Sequence, residues 1–133
     1  MFYSYGKGMA YELKDGNLTN LKCDTETKSG LIKFVSYSNK IKPEIEKIHK
    51  EIGVKEFIRM KSSLKFCVVA SGEFDGYVAE ARACEWDIAA GHIILEEAGG
   101  KLKSFDNTDI LYNTKENIIN PNFLAYGNIS KLN

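Results

Sequence analysis

The sequence lacks an excess of either charge, a long apolar run and paired cysteines, and each absence excludes a class of protein. Its 133 residues carry 18 Lys and Arg against 18 Asp and Glu, so the basic surface typical of nucleic-acid or membrane-surface binders is not indicated. No stretch approaches the ~20 apolar residues of a membrane-spanning helix, and the N-terminus lacks a signal-peptide pattern. Three cysteines without C-x-x-C spacing predict reduced thiols in a cytoplasmic protein.

The composition that remains is typical of a globular α/β protein. Apolar residues make up 44% of the chain and charged residues 27%, which suits one domain, residues 1–133, with a real core. Alternating apolar patterns predict strands, with a hairpin turn at 14–17 and a polar loop at 24–30. The predicted strands cover residues 2–13, 18–23, 31–36, 54–58, 73–78, 101–104 and 122–126.

A β-α-β unit is predicted in the first half of the chain. Ile41, Ile45, Ile48 and Ile52 recur at helical spacing between the strands at 31–36 and 54–58. The simplest packing of such a unit is a parallel pair with a right-handed crossover. The fold class expected is therefore α/β, a layered mixed sheet with flanking helices.

A third helix, over about residues 86–98, carries the most informative residue. An apolar stripe of Trp86, Ala89, Ala90, Ile93 and Ile94 is expected to face inward, and Gly99-Gly100 ends the helix. Asp87 then lies in the first turn, among free backbone N–H groups. Such a carboxylate either caps the helix or holds a divalent cation while the N–H groups receive a phosphate.

A second candidate site precedes this helix, in a segment 62–70 that is predicted as a buried helix with Leu64 and Val68 inward. It begins with Ser62 and Ser63, and Lys65 follows. Hydroxyl groups and an ammonium group at a helix start suit a phosphate. The alternative is that a serine caps the helix and that the lysine is solvated.

These strings carry a resemblance to a known family. Trp86-Asp87-x-Ala-Ala-Gly91, followed by Glu97-Ala-Gly-Gly100, resembles the second signature of the inositol monophosphatase superfamily. The string S-S-L-K-F-C at 62–67 resembles its 3′(2′),5′-bisphosphate nucleotidases. Segments 35–39, 111–116 and 120–123 also resemble parts of that family, so the resemblance covers nearly the whole chain. It implies the C-terminal half of the family's fold.

The resemblance implies a Mg²⁺-dependent phosphatase that converts 3′-phosphoadenosine 5′-phosphate to AMP and phosphate. Asp87 would be a metal ligand. Ser62 and Lys65, together with Ser63, would bind the ribose or a phosphate of the nucleotide.

The sequence departs from the family pattern at several positions. The first signature, D-P-x-D-G-T, is absent, so Asp87 is the only metal ligand expected and the chain alone is expected to be inactive. Asn39 replaces the family's histidine, and Ala79 falls where an arginine contacts the nucleotide phosphate. Arg82, three residues later, is the candidate substitute.

Three functions stay open at this point. The first is an enzyme half, which is either a fragment of a longer enzyme or a split gene product that pairs with a separate N-terminal half or self-associates. The second is a non-catalytic remnant or a nucleotide- or anion-binding module. The third is an inositol monophosphatase-type activity.

Overall fold

The structure is a computed structural model that describes residues 1–6, 8–23, 31–80, 84–114, 116, 119–127 and 129. The predicted loop at 24–30 and Arg82 lie outside these residues. In the part of the chain described, no helix has the length and apolar character needed to cross a membrane.

The described residues form eight strands and three helices. In chain order they are β1 (Phe2–Gly6), β2 (Met9–Lys14), β3 (Asn17–Asn20), β4 (Ile32–Ser36), α1 (Pro43–Ile52), β5 (Val54–Arg59), α2 (Leu64–Ala70), β6 (Gly76–Ala79), α3 (Glu85–Glu97), β7 (Lys101–Ser104) and β8 (Phe123–Tyr126).

The strands form two sheets. β1, β2 and β3 make an antiparallel sheet in chain order, and the other five strands lie in the order β5-β4-β6-β8-β7. β4 runs parallel to β5 and β6, whereas β8 runs antiparallel to β6 and β7. The predicted α/β class, the mixed sheet and the parallel β-α-β unit are therefore confirmed.

Two crossovers place helices on opposite faces of the five-stranded sheet. α1 connects β4 to β5 and shares a core with Phe34 and Val78, whereas α2 connects β5 to β6 and shares a core with Val35 and Tyr77. The chain thus reverses direction across the sheet beside β4. A crevice at the carboxyl ends of the strands is expected at such a reversal, and open α/β sheets bind ligands there.

The helices α2 and α3 lie between the two sheets. Leu95 of α3 shares one core with Ala10 of β2 and with Leu102 of β7, and the Cys23 N–H donates to the Ala98 carbonyl over 2.9 Å. The layers are therefore α1, the five-stranded sheet, the α2–α3 pair and the three-stranded sheet.

Some predicted boundaries and faces of the first half differ from the structure. The predicted strand 2–13 is two strands joined by a turn, and the strand predicted at 73–78 is β6. Leu64, expected inward, is 49% exposed and Val68 is half-buried. The buried face of α2 instead contains Phe66, which stacks on Phe123; Leu64, two residues earlier, lies about 200° away around the helix.

The inward stripe predicted for α3 is wrong for four of its five members. Ile94 is buried, but Trp86 is 67% exposed and Ile93 is 45% exposed; Ala89 and Ala90 are also exposed. The buried face instead includes Ile88, Gly91, His92, Ile94 and Leu95.

A close contact between α2 and α3 at Gly91 explains why the buried face of α3 differs from the predicted one. A Cβ atom built on Gly91 would lie 2.6 Å from Phe66 Cδ2 of α2, so the glycine fixes which face packs. Because α3 is apolar on nearly all sides, helical periodicity alone did not distinguish the two faces.

Candidate functional site

A cleft of about 560 Å³ opens at the carboxyl ends of β4 and β6, where the chain reversal predicts a crevice. The starts of α2 and α3 form its other walls. The lining residues are Tyr37, Lys61, Ser62, Ser63, Lys65, Phe66, Tyr77, Ala79, Glu80, Asp87, Ile88 and Phe123.

Asp87 lies on the cleft wall in the first turn of α3. Its Oδ2 atom accepts a hydrogen bond from the Cys84 backbone N–H over 2.9 Å, and the Cys84 side chain accepts one from the Asp87 N–H in return. This reciprocal pair is a capping box. The bond uses one carboxylate oxygen, so the same side chain is able to cap the helix and to present an oxygen to a cation.

The two serines occupy the turn before α2. Ser62 has a backbone φ of 71°, a left-handed conformation that is uncommon for a residue with a side chain. Its Oγ accepts a hydrogen bond from the Leu64 N–H over 3.3 Å. Ser63 stands at the N-cap position without a side-chain cap bond and is exposed at the cleft.

Lys65 is buried, so the solvated-lysine interpretation is wrong. Its Nζ donates to the Ser62 carbonyl over 2.8 Å and to the Met60 carbonyl over 3.2 Å. It also lies 5.1 Å from the centre of the Tyr77 ring. Two carbonyl acceptors and an aromatic face compensate a buried ammonium group, and the same bonds hold the turn that carries Ser62.

Glu80 is a cleft residue that sequence reasoning missed. It follows β6 directly, and its carboxylate accepts a hydrogen bond from the Tyr37 hydroxyl and pairs with Lys42 over 2.5 Å. The hydrogen bond between Lys42 and Glu80, together with the negative charge of Glu80, raises the pKa of Lys42 above its usual value. The available signal was its position after a buried strand, at the edge where ligands bind in α/β sheets.

The structure thus brings Ser62, Ser63, Lys65 and Asp87 to one cleft. Ala79, at the position where the resemblance implies an arginine, is buried at the same cleft.

The carboxylates of this cleft offer only part of a metal site. The described residues contain no group of three His, Cys, Asp or Glu side chains placed to hold a metal ion. Mg²⁺ in proteins keeps several waters and takes one or two carboxylates plus phosphate oxygens. Asp87 fits the role of one such ligand, while Glu80 is already paired with Lys42.

Comparison with known proteins gives consistent matches. The model of the inositol monophosphatase family matches residues 5–132. The 3′(2′),5′-bisphosphate nucleotidase CysQ of Aggregatibacter actinomycetemcomitans is 35% identical over 77 residues, which are 58% of this chain and 29% of that protein. A protein from the pss 5′ region of Rhizobium leguminosarum bv. phaseoli is 41% identical over 71 residues, which are 50% of this chain and 75% of that protein.

Solved structures show the same relationship. The crystal structure of CysQ from Bacteroides thetaiotaomicron superimposes with a TM-score of 0.75 and 26% identity, over 96% of this chain and 53% of that one. An inositol monophosphatase from Anabaena gives a TM-score of 0.62 and 25% identity, over 91% of this chain and 52% of that one. The chain therefore spans about half the length of these solved structures.

Proposed function

Because the chain belongs to the inositol monophosphatase family, we propose that it is the Asp87-bearing half of a Mg²⁺-dependent phosphatase. The observation that carries the proposal is Asp87 in the first turn of α3, in one cleft with the two serines before α2. The proposed substrate is 3′-phosphoadenosine 5′-phosphate, and the products are AMP and phosphate. The relatives named 3′(2′),5′-bisphosphate nucleotidase CysQ support this choice.

The residues of the cleft have separate proposed tasks. The hydroxyl groups of Ser62 and Ser63 donate hydrogen bonds to a phosphate or ribose oxygen, and the N–H groups at the start of α3 add positive potential. Lys65 holds the serine turn through two carbonyl bonds. Mg²⁺ bound at Asp87 would supply positive charge to the phosphate oxygens.

The chain alone is proposed to be inactive. The described residues place only Asp87 and Glu80 as carboxylates in the cleft, and Glu80 is held by Tyr37 and Lys42. A phosphate ester that lacks further charge stabilisation in the transition state reacts slowly. The remaining ligands are therefore proposed to come from residues outside those that the structure describes.

An inositol monophosphatase-type activity is the second candidate, and Glu80 favours it. A carboxylate accepts hydrogen bonds from sugar or polyol hydroxyls, whereas it repels a second phosphate group. Lys42, which pairs with Glu80, reduces that repulsion, but Ala79 adds no positive charge of its own. A polyol monophosphate thus suits the Glu80 side of the cleft better than a nucleotide bisphosphate does.

The test is phosphate release in the presence of the missing half. The chain is mixed with Mg²⁺ and the part of the Bacteroides CysQ that it does not match, and 3′-phosphoadenosine 5′-phosphate and inositol monophosphate are offered separately. We expect no turnover by the chain alone and Mg²⁺-dependent turnover by the mixture.

Asp87→Asn is the decisive variant in this assay. An asparagine keeps an oxygen that accepts from the Cys84 N–H but loses the charge, so turnover is expected to fall at least 100-fold (~2.7 kcal/mol). Glu73→Gln, beyond the opposite end of α2, is the control and keeps full activity. Turnover that survives Asp87→Asn, or a mixture that binds phosphate esters without hydrolysing them, contradicts the proposal and favours the binding-module alternative.

A further inference from the structure

The cleft contains an exposed lysine, Lys61, whose charge is not balanced by a carboxylate of the described residues. Lys61 lies between the end of β5 and the start of α2, and it lines the cleft beside Ser62 and Ser63, which are also exposed. In the part of the chain that the structure describes, its ammonium group forms no salt bridge and no hydrogen bond. Such a group is able to bind an anionic ligand with all of its donors.

Lys65, the other lysine of the cleft lining, is less accessible to a ligand. It is only 6% exposed, and its Nζ atom donates to the Met60 and Ser62 carbonyls, so two of its three N–H groups are used. A phosphate group bound at Lys65 would have to replace bonds that hold the turn before α2. Lys61 offers the same charge without that loss.

The backbone on both sides of Lys61 is fixed. The Met60 N–H donates to the Ser36 carbonyl at the end of β4 over 2.8 Å, and the carbonyls of Met60 and Ser62, which flank Lys61 in the sequence, both bind Lys65. The Cα atom of Lys61 is thus held at the carboxyl ends of the parallel strands β4 and β5. Because mainly the side-chain torsions of Lys61 have to be ordered on binding, the entropic cost of a contact is limited.

We propose that Lys61 binds the phosphate group of the nucleotide that is not hydrolysed. The proposed reaction removes the 3′-phosphate beside Asp87, so the 5′-phosphate stays on AMP and requires a contact of its own. Lys61 supplies positive charge to this group, and the neighbouring hydroxyls of Ser62 and Ser63 donate hydrogen bonds to it. The inference rests on the proposed function for the identity of the nucleotide, whereas the contact itself requires neither Mg²⁺ nor turnover.

Binding of AMP and of adenosine to the full 133-residue chain tests this contact, because the two ligands differ only in the 5′-phosphate. Both are titrated by calorimetry at low ionic strength and without Mg²⁺, so that neither hydrolysis nor a metal contact contributes. We expect AMP to bind at least about tenfold more tightly than adenosine, as a charge-assisted contact implies. Lys61→Met keeps an apolar stem and removes the charge, so it should lower this affinity ratio at least about fivefold without changing the affinity for adenosine.

Three further variants locate the contact. Lys55→Met is the matched control, because Lys55 is an exposed lysine near the start of β5, whereas Lys61 follows its end, and it does not line the cleft. Lys61→Arg keeps a cation that binds phosphate and should retain most of the ratio. Lys42→Met tests the other cation near the cleft, which pairs with Glu80. The urea midpoint of each variant checks that the fold is kept.

The outcomes separate this contact from the proposed reaction. A ratio that falls with Lys61→Met and is kept in Lys55→Met supports the contact, and absence of phosphate release in the mixture then contradicts only the phosphatase. The contact is overturned when AMP binds no more tightly than adenosine, when neither ligand binds, when Lys61→Met leaves the ratio unchanged, or when Lys55→Met lowers it equally. It is also overturned when Lys42→Met abolishes the ratio and Lys61→Met does not, which assigns the phosphate to the Glu80 side of the cleft.

Discussion

The contact between α2 and α3 at Gly91 allows the effect of Gly91→Ala on the free energy of unfolding to be estimated. A Cβ atom on Gly91 would lie 2.6 Å from Phe66 Cδ2, 2.7 Å from Cγ and 2.9 Å from Cβ. Ordinary carbon contacts are about 3.5–4.0 Å, so Gly91→Ala requires a local shift of roughly 1 Å. The near end of the Phe66 side chain makes this contact, so ring rotation alone does not relieve it.

Two opposing effects decide the sign of this change. Alanine is favoured over glycine inside a helix by about 1 kcal/mol. Overpacking a filled core costs typically 1–3 kcal/mol, and the upper part of that range applies because Phe66 is also packed against Phe123 and Tyr77. The net expectation is a loss of about 2 kcal/mol in the free energy of unfolding, or roughly 8 °C in Tm for a chain of this size.

Urea unfolding followed by far-UV circular dichroism measures this loss. Ala90→Gly is the matched control, because Ala90 is exposed on the same helix and should lose only the ~1 kcal/mol of helix propensity. Phe66→Leu combined with Gly91→Ala should show a favourable coupling, since the smaller side chain makes room for the methyl group. A Gly91→Ala protein as stable as the parent would refute the close contact.

Two further predictions concern buried histidines. His49 is buried between the Phe34 and Phe57 rings, and burial lowers the pKa of its imidazole. As the pH falls, the imidazole is protonated near pH 6.5 in the unfolded chain but only at a lower pH in the folded chain. The free energy of unfolding therefore falls as the pH falls from 7.5 to 5. His49→Leu should flatten that part of the urea-midpoint profile against pH, and an unchanged slope contradicts the argument. His92 Nδ1 lies 2.5 Å from the Tyr112 hydroxyl and Nε2 lies 2.8 Å from Glu96, so Tyr112→Phe should cost about 1 kcal/mol in urea unfolding; no change would show that the bond is absent in solution.

The sequence was sufficient where a single local pattern determines the structure. Isoleucines at helical spacing between two apolar runs identified the parallel β-α-β unit, and Gly99, whose φ of 98° ends α3 in the left-handed region, marked the end of that helix. Asp87 was placed in the first turn for the same reason. In each case the controlling interactions lie within a few residues.

The sequence was insufficient where contacts with distant elements determine which face of a helix is buried or where a side chain lies. Trp86 and Ile93 were predicted inward, but the approach of Phe66 to Gly91 turns the opposite face of α3 to the core. Glu80 was missed because a single carboxylate after a strand has no spacing pattern. Its place in the cleft depends on the crossover that brings the end of β6 beside the end of β4.

The candidate site also shows why structural and ligand-binding interpretations of a residue are not exclusive. Asp87 caps α3 with one oxygen, and Lys65 holds the serine turn while its side chain borders the cleft. Removing the Lys65 side chain takes its donor from both carbonyls and leaves the Ser62 carbonyl only a long bond of 3.5 Å from the backbone N–H of residue 65, so Lys65→Ala changes the shape of the cleft together with its charge. Asp87→Asn keeps an oxygen for the cap and the size of the side chain, while it removes the charge and replaces the second oxygen by an NH₂ group. The aspartate substitution is therefore the one whose effect on turnover reports on chemistry.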